Sequence, residues 1–117
     1  MTTLLHMQNV SKGLSIFEEL QITYNGEIKC WRNNILTFQR SIIWAQEENE
    51  INKRRANHLK QLGETEAYQH YMNCLMPCTT MAIKRYHHFI DDCNKRIESN
   101  LHKVGECEKF MNGDKLD

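Results

Sequence analysis

Residues that break regular structure are nearly missing from this chain. One proline and five glycines punctuate 117 residues. So few breakers exclude a loop-rich or all-β fold and favour long uninterrupted helices. An excess of either charge is missing too: Lys plus Arg and Asp plus Glu are 15 each, a formal balance of zero. No overall field therefore draws the chain to nucleic acid or to an anionic membrane. Nowhere is there an apolar run long enough to span a bilayer, so no membrane partner is expected. The first residues, MTTLLHMQNVSKGL, lack a charged start followed by an apolar core, and no signal peptide is expected. Phosphate-cradling Gly-rich loops are absent, and no cofactor is expected. No Ser, Cys or Thr stands beside a recognisable base and orienter, so nucleophilic catalysis has no support.

What is present is a helical protein. Hydrophobic residues are 40% and charged residues 26%, ordinary for a globular chain. The length suits a single helical domain with a modest core. The cysteines, Cys30, Cys74, Cys78, Cys93 and Cys107, are odd in number and scattered. Without a secretion signal they read as free thiols in a reducing compartment inside the cell, the cytoplasm first.

One stretch organises the chain, Glu27 to Leu62. With Ile28 at heptad position a, the a positions are Ile28, Ile35, Ile42, Asn49 and Ala56. The d positions are Trp31, Phe38, Ala45, Asn52 and Leu59. The pattern predicts a long amphipathic helix with an apolar seam at one end and a polar layer in its middle. Glu27 suits its start, and Lys53, Arg54, Arg55 and Lys60 suit its end, by the helix dipole.

Leu4, Leu5, Met7 and Val10 are the apolar set of a short first helix that Gly13 interrupts. Ser15 to Glu18 has capping-box spacing and opens helix A, about 15–25. Asn25-Gly26 closes it, with Gly26 left-handed. The same dipeptide is also a hairpin signal, with QITY before it as a strand. Pairing across that turn gives no clean apolar face, so helix, turn, helix is preferred. Helix B spans about 27–62 and ends at Gly63. Thr65 is a plausible N-cap for helix C, about 65–111. Its a positions are Met76, Ile83, Ile90, Ile97, Val104 and Met111. Its d positions are Met72, Thr79, Tyr86, Cys93, Asn100 and Cys107. Pro77 kinks helix C or splits it into 65–75 and 78–111. The heptad phase holds across it, which favours the kink. Asn112-Gly113 ends the helix, and a polar tail, 112–117, follows.

The expected fold is all-α: an elongated antiparallel helical hairpin or a three-helix bundle, coiled-coil-like. Isoleucine-rich a positions also invite a second chain.

Several clusters are candidates for chemistry. His70, Cys74 and Cys78 fall at i, i+4 and i+8, a soft ligand set for zinc if the helix is straight. A fourth ligand is needed, and His58 or Cys93 is the obvious choice. Two buried thiols with one exposed histidine is the plainer account. His87 with Asp91, and His88 with Asp92, place a histidine and a carboxylate one turn apart. They serve as polar surface pairs or as metal ligands, iron included, though the ExxH pattern of di-iron bundles is missing. Asn49, Asn52 and Asn100 put polar groups in the seam, where they set register or oligomer state. Lys53, Arg54, Arg55 and Lys60, with Lys84, Arg85, Lys95 and Arg96, form either a basic stripe for nucleic acid or a solvated charged face. Trp31 fits the seam. Ile43 and Trp44 leave it; they pack under helix A or contact another chain.

Protein–protein assembly without catalysis is the leading expectation, as a homodimer or as a subunit or inhibitor of a larger complex. Its partner would be another copy or a different protein, engaged through Ile43, Trp44, Lys53, Arg54 and Arg55. Nucleic-acid binding through the basic stripe is one alternative, and a zinc- or iron-binding bundle is the other. No motif is specific enough to assign a family.

Overall fold

A computed structural model describes residues 15–113. The expected short helix near Leu4 and the last four residues of the polar tail lie outside the described residues. The fold is all-α. Helix α1 runs Ile16–Gln61, α2 runs Thr65–His70, a π-helical turn covers Tyr71–Leu75, and α3 runs Met76–Met111. Among the described residues there is no strand.

The start of α1 follows the capping-box spacing. Glu18 N–H donates to Ser15 Oγ at 3.2 Å, and Ser15 N–H donates back to Glu18 Oε1 at 3.4 Å. Two donors left orphaned at the helix start are thereby satisfied. Glu18 and Glu19 add negative charge in the first turn, where the dipole favours it.

The turn expected at Asn25-Gly26 is not there. Helices A and B are one helix, and α1 passes through both residues. Gly26 does not have positive φ, so it spends none of the freedom that marks glycine as a helix terminator. The nearby seam explains this. Ile28 is 3% exposed, and burying an isoleucine contributes about 1.5–3 kcal/mol. A helical glycine costs only about 1 kcal/mol. Packing outweighs the local signal.

At Gly63 the local signal wins. Gly63 has φ 78°. Glu64 N–H donates to the Leu59 carbonyl at 3.0 Å, and Gly63 N–H donates to Lys60 at 3.1 Å. These are the paired bonds of a Schellman motif, which needs a left-handed residue at this position. Gly113 repeats the device with φ 80° and a bond to the Phe110 carbonyl at 3.1 Å. Thr65 is not an N-cap, contrary to expectation. It is the first residue of α2, and its hydroxyl donates to the Gly63 carbonyl at 3.4 Å.

Pro77 neither splits the helical run nor leaves its hydrogen bonding unchanged. It is the second residue of α3, directly after the π-turn. Proline lacks an N–H and its ring crowds the carbonyl four residues back. Widening the turn before it accommodates both defects; Met76 N–H reaches the Tyr71 carbonyl, five residues back. Pro77 itself then occupies a first-turn position, where its missing donor is harmless.

The chain divides into two compact units, each using parts of both long helices. Among the described residues, one comprises 15–33 with 93–113; the other is Asn34–Asp92. In the first, α1 and α3 run antiparallel. Phe17 stacks on Phe110, centroids 4.6 Å apart and 6° from parallel. Gln21 Nε2 donates to the Val104 carbonyl at 3.2 Å. The Lys103 ammonium lies 5.4 Å from the Tyr24 ring centre, and the Arg96 guanidinium 4.8 Å from the Trp31 ring centre. Ile28, Cys93, Ile97, Asn100 and Cys107 are its buried core.

The second unit is a helical hairpin about the Gly63 turn. Ile42, Ala45, Asn52 and Ala56 are buried. Phe38 packs between Tyr86 at 6.2 Å and Phe89 at 5.2 Å. Near the turn, Lys60 lies over Tyr68 at 5.6 Å. Asn49 is half-buried in the seam, and its side-chain oxygen has no hydrogen-bond partner among the described residues. Every a and d position from Ile28 to Leu59, and from Met76 to Cys107, is buried or half-buried. Met72 and Met111, at the ends of the second pattern, are exposed. No described helix is long and apolar enough to cross a membrane.

Candidate functional site

Successive residues turn about 100° around a helix, so residues seven apart return nearly to the same line. On α1 the seam line carries Ile35, Ile42, Ala45 and Asn52. The opposite face of the same unit carries Leu36 with Ile43, and Trp44 with Ile51. These four are 51%, 56%, 68% and 42% exposed. Arg40 and Glu47 lie between the two apolar lines, and both are exposed. Ile43, Gln46, Glu47, Glu50, Ile51 and Arg54 line a shallow groove of about 470 Å³.

Of the two expectations for Ile43 and Trp44, packing under helix A does not hold. Residues 15–25 are the first turns of α1, so no separate helix A exists to cover them. Both side chains are open to solvent among the described residues. Arg54 joins Ile43 in the groove. Lys53 and Arg55 are exposed as well, each turned about 100° away from Arg54 around the axis. The five residues expected to bind a partner therefore divide: Ile43 and Arg54 line one groove, and Trp44, Lys53 and Arg55 are exposed outside its lining.

A second groove, about 680 Å³, belongs to the other unit. Thr23, Glu27, Cys30, Trp31, Asn100 and Lys103 are among its lining residues. Arg96 closes part of it by lying over Trp31. Charges of both signs line it. Cys30 has no histidine beside it there to act as a base.

Comparison with protein-family models, with the curated proteins and with the solved structures finds no match. The chemistry of the surfaces must therefore be read from their residues.

The metal candidates are not brought together. His70, Cys74 and Cys78 are all exposed. The π-turn lies inside their spacing, and its wider turn rotates Cys78 out of line with His70. Among the described residues, no group of three or more His, Cys, Asp or Glu side chains is placed to hold a metal ion. His87, Asp91, His88 and Asp92 are exposed. A different histidine–carboxylate pair has contact geometry: His102 Nε2 and Glu106 Oε1 are 3.4 Å apart. The same one-turn spacing marks it in the sequence. All five thiols are free; Cys93 and Cys107 are buried, and the other three are exposed.

Leu36, Arg40, Glu47 and Ile51 are the surface residues that the heptad reading overlooked. Their signal was present as a second set of residues seven apart, Leu36–Ile43 and Trp44–Ile51, outside the seam. A search for one apolar seam does not look for a second.

Proposed function

We propose that this chain is a non-enzymatic protein–protein assembly module, working inside the cell in a reducing compartment. It engages its partner through the outward face of α1, as a homodimer or as a subunit or inhibitor of a larger complex. The exposed row of Leu36, Ile43, Trp44 and Ile51 carries the proposal. Single exposed apolar residues are ordinary, but a row of them is a feature of interaction surfaces. Tryptophan is prominent among residues that dominate binding energy, and arginine accompanies it. Here Trp44 stands beside Arg40, with Glu47 and Arg54 on the same face. The free thiols support a reducing compartment.

Site-specific photo-crosslinking at position 44 of the full chain, in its native cells, tests this. The expected product is a protein adduct, lost when Ile43 is also replaced by serine. Adducts with nucleic acid alone, or none, would overturn the proposal in favour of the basic residues or of no contact at this face.

A further inference from the structure

We infer that the partner of the outward face of α1 is a second copy of the same face, laid antiparallel about a point midway between Ile43 and Trp44. The inference rests on the assembly reading and adds the partner's identity and register. Closed two-fold pairing requires a surface that is complementary to itself. Reversing one copy against the other about that point sets Leu36 level with Ile51 and Ile43 level with Trp44, and brings Arg40 against Glu47 on the central line. Each contact occurs twice by symmetry. Ile43 thus faces its own copy on one flank and Trp44 its own copy on the other, every apolar residue of the row lies level with an apolar residue, and the two central charges meet their opposites. All six side chains lie in the unit formed by Asn34–Asp92. The four apolar ones are more than two-fifths exposed, and Arg40 and Glu47 are exposed as well.

Other registers are worse on charge alone. Shifting the partner by one heptad in one direction sets Arg40 against Arg54 and Glu47 against itself. Shifting it the other way sets Arg40 against Arg40. A parallel pair places each charge level with its own copy. Like charges set across an interface oppose association and so select against wrong registers. Only the register centred between Ile43 and Trp44 pairs both central charges with opposites while stacking the apolar row on itself.

Charge reversal tests this on the full chain by sedimentation velocity, with circular dichroism to confirm an unchanged helical content. Wild type should sediment as a dimer. Arg40→Glu alone, or Glu47→Arg alone, creates two like-charge contacts and should weaken self-association about tenfold or more. Mixing the two single variants restores opposite charges at both contacts and should give a one-to-one heterodimer. The double variant R40E/E47R should dimerise like wild type. A wild-type monomer at every accessible concentration would overturn the inference. So would single variants that associate as tightly as wild type, or a mixture that stays monomeric. Photo-adducts at position 44 made only with a different protein would overturn the second copy and leave the assembly reading standing. No protein adduct at all would sink both.

Discussion

Trp31 and Trp44 stand thirteen residues apart on one helix, and their surroundings differ. Trp31, in the unit that joins the beginning of α1 to the end of α3, is half-buried with a guanidinium 4.8 Å over its ring. Trp44, in the hairpin unit, is 68% exposed. The first unit pairs its aromatic rings within the chain: Phe17 on Phe110, itself 43% exposed, Tyr24 under Lys103, Trp31 under Arg96. The hairpin unit packs Phe38 against Tyr86 and against Phe89, itself 47% exposed, and leaves its tryptophan more exposed still. An aromatic ring buried by its own chain contributes to stability. One left in water contributes little to the fold and can contribute to a complex. The same residue type is therefore packed within the chain in one region and left in water in the other.

Both cores should fail alike when charged. Ile28→Asp in the first unit and Ile42→Asp in the second each bury a carboxylate in a seam position. Each should lower stability by about 3 kcal/mol or more, from lost packing plus the cost of the buried charge. Denaturant melts followed by circular dichroism read this directly. A variant as stable as wild type would show that its unit does not depend on the heptad seam.

The two tryptophans should then separate the regions. Trp31→Ala removes a half-buried ring and a cation–π contact, an expected loss of about 2 kcal/mol. Trp44→Ala should change the stability of dilute protein by no more than about 0.5 kcal/mol, as surface substitutions do. At higher protein concentration Trp44→Ala should fall further below wild type, because association stabilises the folded state by mass action. Equal losses in dilute protein would erase the contrast between the regions.

How much of this was legible in the sequence follows from which interactions are local. The seam was legible from Ile28 to Leu59 and from Met76 to Cys107, because a period of seven survives any choice of helix ends, but not at Met72 and Met111, which are exposed. The capping box at Ser15 was legible because it involves only residues three apart. The Gly63 terminator was legible for the same reason. Asn25-Gly26 misled because a strong local turn signal stood beside a seam whose packing partner is far away in sequence. The effect of Pro77 was seen, but its form was not, since a π-turn is one of several ways to relieve the same clash. The exposure of Trp44 was an open alternative until the candidate covering helix proved to be part of α1. The cation–π contacts of Trp31 and Tyr24 lie between residues distant in the chain, and no spacing rule points to them.

Two glycines, one in each region, extend the comparison to smaller effects. Gly63 sits in the hairpin unit at φ 78°, and an added Cβ would meet nothing within 4 Å. Its requirement is conformational rather than steric against neighbours. Gly63→Ala should destabilise by about 1–2 kcal/mol, the cost of a left-handed conformation for an L-residue. An unchanged melt would mean that the Schellman geometry is not needed to reverse the chain.

Gly26 is the opposite case and the smallest effect. It lies inside α1, without positive φ, and a Cβ there also meets nothing within 4 Å. Alanine loses less chain entropy than glycine and propagates a helix better. Gly26→Ala should therefore stabilise by about 0.5–1 kcal/mol. The sign matters more than the size. A turn at Asn25-Gly26 with a left-handed glycine would make the same substitution destabilising. The two glycines thus give opposite signs if α1 is continuous, and the same sign if the local signal prevails in both regions. Thermal or urea melts of the two variants, measured side by side, decide between them.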